Sequence, residues 1–258
     1  MLARTLKEFW RSSLSAELEY RLNFVISTLN VAGQMTGAIF TISLLYRKGS
    51  AFNGWSWHQA LIIVALFTLL EGLAAMLLNP NLSRIIAYVQ RGTLDFILLK
   101  PIDSQLHVSV RNFSIWGIPN VLLAFGLLFY AGHHAGVAWH GYLLGIAPVM
   151  LSCVIMYCLW FAVATSTIWF TKVWNATEVL RSFLEAGRYP MAAYPTAVQF
   201  FFTFVLPIAF LTTVPAEIML GRAGITLIFI EAAIALVLLV ATRIFWRIAL
   251  RYYTSASS

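Results

Sequence analysis

Two acidic residues lie inside apolar runs of the sequence and are the first candidates for chemistry. Glu71 interrupts the run at 58–78, and Glu231 interrupts the run at 224–245. A carboxyl group at the centre of a membrane-spanning helix costs about 2.5 to 3.5 kcal/mol on insertion scales, so it faces protein or a wet cavity. Each acid has two interpretations: a polar or proton-carrying group in a transport path, or a structural acid bonded to a neighbouring helix.

Other sets of reactive side chains are weaker candidates. His133, His134 and His140 have no Cys or carboxylate close by in the sequence, which favours a solvated loop over a metal site. Cys153 and Cys158 share one apolar run and point apart on a helix, as packing thiols do. With no acid pair or Ser/His/Asp set at one depth, we expect no catalytic residue, no metal and no cofactor bound by this chain.

The longest polar interruption of the sequence is the stretch 79–111, which lies between apolar runs long enough to cross a bilayer. It holds four basic residues, Arg84, Arg91, Lys100 and Arg111, together with Asp95 and Asp103. Its length of about 30 residues exceeds an ordinary connection between helices. We therefore expect it to form a structural element outside the lipid.

Within this stretch the apolar spacing predicts a short helix over 82–90. Its edge of Ile85, Ile86 and Val89 would dock into a groove on a partner. Gly92 would end the helix in a left-handed turn, and Pro80 would stop the preceding span.

The composition of the chain predicts the type of fold that holds these residues. Hydrophobic residues make up 60% of the 258 residues and charged residues 10%, and the mean hydropathy is +0.82, so we expect an integral membrane protein. The apolar runs predict an all-α fold with a membrane domain over 22–258. The predicted spans are 22–46, 58–78, 113–131, 142–170, 196–211 and 224–245. Residues 1–21 predict an amphipathic helix in the cytoplasmic interface. The prolines of 190–221 predict a short helix or re-entrant turn over 212–221, after the fifth span.

The distribution of basic residues predicts the orientation of these spans. With six spans and a cytoplasmic N-terminus, three basic residues fall outside: Arg47, Lys48 and Arg222. The other fourteen fall inside: Arg4, Lys7, Arg11, Arg21, Arg84, Arg91, Lys100, Arg111, Lys172, Arg181, Arg188, Arg243, Arg247 and Arg251. Because Lys and Arg accumulate in cytoplasmic loops, both termini are predicted to be cytoplasmic. The formal charge of +7 then reflects membrane topology, and no nucleic-acid partner is expected.

Two motifs resemble those of a known family. The pattern RGTLDFILLKPIDSQ follows the second span, and GRYP, LPIAF and TVPAEIMLGR lead into the sixth. They resemble the permease subunits of bacterial type-2 ATP-binding-cassette exporters. The resemblance implies six spans in the bacterial inner membrane, an N-terminal interfacial helix, a cytoplasmic coupling helix between spans two and three, and short extracellular helices before the sixth.

The resemblance also assigns partners and site residues. Its cytoplasmic coupling element corresponds here to Arg91, Gly92, Asp95, Leu98, Leu99, Lys100 and Pro101. It implies two copies of a separate ATPase subunit that bind ATP and Mg, and a second permease, identical or paralogous. None of the four lysines follows a glycine as a P-loop requires, which agrees with a separate ATPase.

Two alternatives from other classes remain at this point: a proton-coupled secondary transporter that uses Glu71 and Glu231, and an intramembrane enzyme. The substrate is not identified by the sequence; the oily interior favours an amphiphile, a drug, a lipid or a surface glycan.

Overall fold

The computed structural model describes residues 21–47, 54–170 and 174–253, and these ranges contain helices and loops without a strand. The helices are α1 (Arg21–Arg47), α2 (Trp57–Leu73), α3 (Asn79–Gln90), α4 (Asp95–Leu98), α5 (Ser104–Val110), α6 (Ile118–Ala135), α7 (Trp139–Thr165), α8 (Trp174–Leu184), α9 (Thr196–Phe200), α10 (Ala209–Met219) and α11 (Thr226–Tyr252). The all-α prediction is confirmed. The predicted interfacial helix over 1–21 lies outside the described residues, apart from Arg21.

Among the described helices, four are long and apolar enough to cross a membrane: Phe24–Arg47, Trp57–Gln90, Trp139–Ile168 and Thr226–Tyr252. A fifth is added if the bent pair Thr196–Val205 and Ala209–Met219 forms one span. The predicted third span is the 18-residue helix α6, which begins at Ile118 instead of Phe113 and ends in a polar turn with two histidines. The protein is therefore a multi-pass membrane protein with four or five candidate spans, and the sixth stays a prediction.

The prediction that Pro80 stops the second span is wrong. The helix continues from Trp57 to Gln90 through a widened π-helical turn at Ala74–Leu78, where the N–H of Asn79 donates to the carbonyl of Ala74. Pro80 then falls in the first turn of α3, where a missing N–H is tolerated. At about 1.5 Å per residue the 34-residue helix is about 50 Å long, so it extends beyond a hydrocarbon core of about 30 Å.

The predicted fifth span over 196–211 is also corrected. Its helix widens at Phe201–Val205 and breaks before Pro207, and α10 leaves at an angle of 98°. Leu206 is extended (φ −113°, ψ 104°), as residues before proline prefer. The helix expected to begin at Thr212 begins at Ala209, and most of α10 is buried between α2 and α7.

Two apolar cores hold the bundle together. One joins α3, α7, α8, α10 and α11, and the other joins α1, α2 and α6. The crossing of α2 and α6 depends on two glycines: a Cβ on Gly72 would lie 2.8 Å from the Cβ of Asn120, and Gly117 lies against the backbone of Gly72. These cores fix the ends of the helices from which the candidate site residues project.

Candidate functional site

The loop at 91–103 begins where the sequence predicts. α3 ends at Gln90, and Gly92 adopts the left-handed conformation with φ +66°. The N–H of Gly92 donates to the carbonyl of Val89, and that of Thr93 donates to Tyr88, which satisfies the last carbonyls of the helix. Gly92 therefore turns the chain sharply toward α4.

The predicted docking edge on α3 lies against this chain instead of a partner. Ile85 is fully buried and Ile86 is 8% exposed, and both are covered by the chain's own helices. Val89 is partly buried against the same core. Burial of an apolar helix face inside its own bundle removes that surface from water. The prediction that Ile85 and Ile86 form a partner-facing edge is therefore wrong, and the apolar face of α3 anchors the loop.

The exposed apolar side chains of the loop lie around α4. Phe96 is 69% exposed, Leu98 37% and Leu99 81%, and we call these three residues the loop patch. Leu94 and Ile97 point the other way and are buried, so the patch is held on a fixed base. Arg91 and Pro101 are exposed, and Asp95 and Lys100 are half-buried beside the patch. An apolar surface of this kind, rimmed by charged residues, is typical of an interaction site.

A pair of buried asparagines joins the two ends of the 79–111 stretch. The amide of Asn81 donates to the carbonyl of Asn112 at 2.8 Å, and the N–H of Asn112 donates back to Asn81 Oδ1 at 2.8 Å. Arg84 Nη1 donates to Asn112 Oδ1 at 2.8 Å. These bonds close the stretch into a compact unit whose position follows that of α3.

The far end of the loop is clamped to the last helix. Arg243 on α11 forms an ion pair with Asp103 and donates to Gln105 Oε1 at 3.1 Å. Trp246 Nε1 donates to Ser104 Oγ at 3.1 Å. The hydrogen bond from Arg243 holds the pKa of Asp103 below its ordinary value, so the pair stays charged in mildly acidic solution. We call this set, Asp103, Ser104, Gln105, Arg243 and Trp246, the clamp.

His107 lies beneath the loop, where its Nε2 is 3.5 Å from Lys100 Nζ. Burial, followed by the nearby charges of Lys100 and Arg111, lowers the pKa of His107. A neutral imidazole can accept a hydrogen bond from the lysine, so Lys100 is tied to α5 at neutral pH.

Glu71 faces a polar cavity of about 380 Å³. Its Oε2 lies 3.5 Å from Arg188 Nη2, and the Arg188 guanidinium also stacks over the ring of Phe67 at 4.7 Å. The polar residues that line the cavity come from α1, α2, α3, α6, α8 and the turn after α8: Ser27, Asn30, Gln34, Glu71, Asn79, Asn120, Arg181 and Glu185. Trp116 and Trp160 contribute indole rings to the wall. The stretch Ser27, Asn30 and Gln34, with helical spacing inside an apolar run, is a signal that the sequence analysis missed.

Glu231 occupies a different place. Its side chain is fully buried, and its Oε1 accepts a hydrogen bond from Ser152 Oγ at 3.1 Å. The same hydroxyl lies 2.8 Å from the carbonyl of Phe210, so three helices meet at this point. Glu231 does not line the polar cavity that contains Glu71. The two intramembrane acids therefore do not form one path.

The histidines do not assemble a metal centre. His58 and His134 stack with ring centroids 5.0 Å apart, and His133 lies edge-on to His134. Within the described ranges no group of three or more His, Cys, Asp or Glu side chains could hold a metal ion.

Comparison with known proteins identifies the family. No curated protein and no solved structure matches the chain. A family model described as ABC-2 family transporter protein matches residues 32–257, which is most of the chain. Members of this family are membrane subunits of transporters that work with an ATPase subunit. The chain therefore belongs to the ABC-2 transporter family.

Proposed function

We propose that the chain is the membrane-spanning permease subunit of an ATP-driven exporter. Two ATPase subunits, which bind ATP and Mg, would dock on the cytoplasmic loops. The observation that carries this proposal is the loop patch of Phe96, Leu98 and Leu99, which is exposed on a rigid base in a chain of the ABC-2 family. Arg91, Asp95, Lys100 and Pro101 provide its polar rim. The buried side of the loop is packed against the bundle. A partner docked on the exposed loop patch could therefore pass its movement to the helices.

The clamp gives this docking surface a route into the membrane. Its ion pair and hydrogen bonds join the loop at Asp103 to α11 at Arg243. The asparagine pair and the apolar face of α3 join the same loop to α2. Movement of docked ATPase subunits on ATP closure would therefore shift both helices and bias the permease between inward-facing and outward-facing states.

We further propose that the chain crosses the bacterial inner membrane six times with both termini in the cytoplasm. Three groups of contacts support this path. At one end of the bundle, Asp103 meets Arg243. At the opposite end Arg222 donates to Gln59 at 2.7 Å, and His58 stacks on His134. The connection between α8 and α11 thus returns the chain to the end where α2 starts, as a crossing requires.

A second permease, identical or paralogous, would complete the translocation path. Support comes from one face of α1, where Gly33 and Gly37, one helical turn apart, are both exposed. A Cβ added to Gly33 or Gly37 would meet nothing within 4 Å. Small residues on an apolar helix allow close packing with another helix in a bilayer. A second copy of the permease is the occupant that we assign to this face.

Purification of the tagged chain from its native membranes in a mild detergent tests the proposal. We expect an ABC ATPase to co-purify and the complex to hydrolyse ATP in a vanadate-sensitive manner. Purification of the folded chain without an ATPase, from membranes that contain the ATPase, would contradict the proposal. The proton-coupled alternative using Glu71 and Glu231 is not adopted, because these acids lie in separate surroundings.

A further inference from the structure

The polar cavity around Glu71 combines two kinds of surface. Its polar wall carries hydroxyl, carboxamide, carboxylate and guanidinium groups, and its apolar wall includes Phe67, Leu70, Met156, Leu184 and Leu211. Its volume of about 380 Å³ falls within the range of small-molecule sites, which is about 300 to 1,000 Å³. Polar side chains inside apolar spans are costly, so their convergence on one space indicates a ligand with polar groups.

The acids around this cavity outnumber the bases. Glu71 lies 3.5 Å from Arg188, and Arg181 lies 3.8 Å from Glu178. Glu185 also lines the cavity, so three carboxylates are present beside two guanidinium groups. An anionic ligand would add to this excess of negative charge in a partly desolvated space. The charge pattern therefore selects against anionic head groups.

The remaining polar groups suit an uncharged ligand. Ser27, Asn30, Gln34, Asn79 and Asn120 carry hydroxyl and carboxamide groups that both donate and accept hydrogen bonds. Asn30 and Gln34 lie one helical turn apart on α1 and bond to each other at 3.2 Å, so they present one continuous amide surface. The flat indole of Trp116 also lines the cavity. Hydroxyl groups on a compact ring match such a surface.

We propose that this cavity binds the uncharged, hydroxyl-rich head group of an amphiphile. Asn30 and Gln34 would bond its hydroxyls, and its hydrocarbon part would lie along the apolar wall. This inference rests on the proposed function, since the bound amphiphile would be the transported cargo. The substrate class is then an amphiphile with such a head group, and the carboxamides of α1 decide which head groups bind.

Equilibrium binding of radiolabelled octyl β-D-glucoside tests the inference. The full-length chain in complex with its ATPase would be placed in lipid nanodiscs and titrated below the critical micelle concentration. We expect saturable binding to the wild type and about tenfold weaker binding to Asn30→Leu/Gln34→Leu, the loss expected for one or two hydrogen bonds to a neutral group. Thr36→Val is the matched control, because Thr36 is exposed on α1 outside the cavity and its hydroxyl donates to the carbonyl of Ala32 on the same helix. Its binding should equal that of the wild type.

Two outcomes would overturn the inference. One is equal binding by the wild type and the double variant; the other is displacement of the glucoside by octyltrimethylammonium or octyl sulfate as effectively as by unlabelled glucoside. If the double variant aggregates, Asn30→Ala removes an amide without adding volume, and it should still weaken binding. Absence of saturable glucoside binding with an intact ATPase complex would refute the ligand class alone. Absence of ATPase assembly would instead refute the proposed function.

Discussion

For single residues, the two intramembrane acids show that the surrounding structure decides which groups a side chain contacts. Glu71 and Glu231 look alike in the sequence, yet Glu71 is paired with Arg188 beside a cavity and Glu231 is sealed among three helices. The sequence predicts that both side chains face protein, because lipid cannot solvate them. It cannot predict which neighbour each acid meets, since Ser152 and Arg188 are brought there by the packing of distant segments.

Glu231 should act as a structural acid. We expect Glu231→Gln to retain the acceptor for Ser152 and to change the free energy of unfolding by less than about 1 kcal/mol. Glu231→Ala should cost about 1 to 3 kcal/mol, because it leaves a cavity and an unbonded hydroxyl. Thermal unfolding in detergent measures both, and ATP hydrolysis of the complex should be unchanged in Glu231→Gln. A stable Glu231→Gln protein that assembles but no longer transports would argue for a role in the path.

Glu71 should instead set charge selectivity. Glu71→Gln leaves the guanidinium of Arg188 beside the cavity without its carboxylate, so the excess of negative charge at the site is removed. We expect this variant to bind octyl sulfate at least about tenfold more tightly than the wild type does. This corresponds to a change of about 1.4 kcal/mol in the binding free energy. Displacement of labelled octyl glucoside by octyl sulfate measures it. Glu217→Gln, on α10 and outside the cavity lining, is the control with the same change in charge. Unchanged selectivity in Glu71→Gln would show that this pair does not face the ligand.

Among the helices, two prolines have opposite effects: one breaks its helix, and the other is accommodated within a helix. Pro207 breaks its helix because Leu206 adopts the extended conformation that a following proline favours. Asn79 stays helical before Pro80 (φ −55°, ψ −50°), since the π-helical turn places the proline in the first turn of the next segment. The sequence predicts that each proline perturbs a helix, whereas the register of the neighbouring turn decides between a break and a widened turn.

The α2–α6 crossing should be intolerant of side chains at its two glycines. Gly117→Ala would place a methyl group against the backbone of Gly72 and the side chain of Met76, so the helices must separate. We expect a loss of about 1 to 3 kcal/mol in the free energy of unfolding, as for overpacked cores. In Gly126→Ala, within α6, the added methyl group meets nothing within 4 Å, so this variant should be neutral or slightly stabilising. Equal stability of the two variants, measured by thermal unfolding, would contradict this packing.

The clamp should transmit movement and add little to stability. Asp103 and Arg243 are both more than a third exposed, so their pairing is worth about 1 kcal/mol or less. We expect Asp103→Arg and Arg243→Asp to assemble with the ATPase but to lose the change in ATP hydrolysis rate that the permease causes. The double variant, with the charges exchanged, should recover at least part of it. Arg247→Asp, on the exposed side of α11, is the matched control, and failure of the exchange to rescue would remove the ion pair from the coupling route.

For the whole molecule, composition and charge predict the class of protein. The packing of the helices decides which residues are exposed to a partner. Hydropathy and the two motifs predict a multi-pass ABC permease, which the helices and the family match confirm. The sequence also predicts the loop and its glycine turn. It places the apolar edge of α3 on the wrong side, because periodicity identifies an apolar face without showing whether the same chain covers it. We therefore propose that α4 has the partner-facing role.

The most direct measurement is site-specific photo-crosslinking within the native complex. A photoreactive residue at Leu99, which is 81% exposed in the loop patch, should crosslink to the ATPase. The same residue at Trp139, 74% exposed at the start of the 27-residue helix α7, lies about 40 Å along that helix from its loop-side end and should not. We expect crosslinking from Leu99 and not from Trp139. Crosslinking from Trp139, or none from Leu99 in an assembled and ATP-hydrolysing complex, would contradict docking of the ATPase on the loop patch.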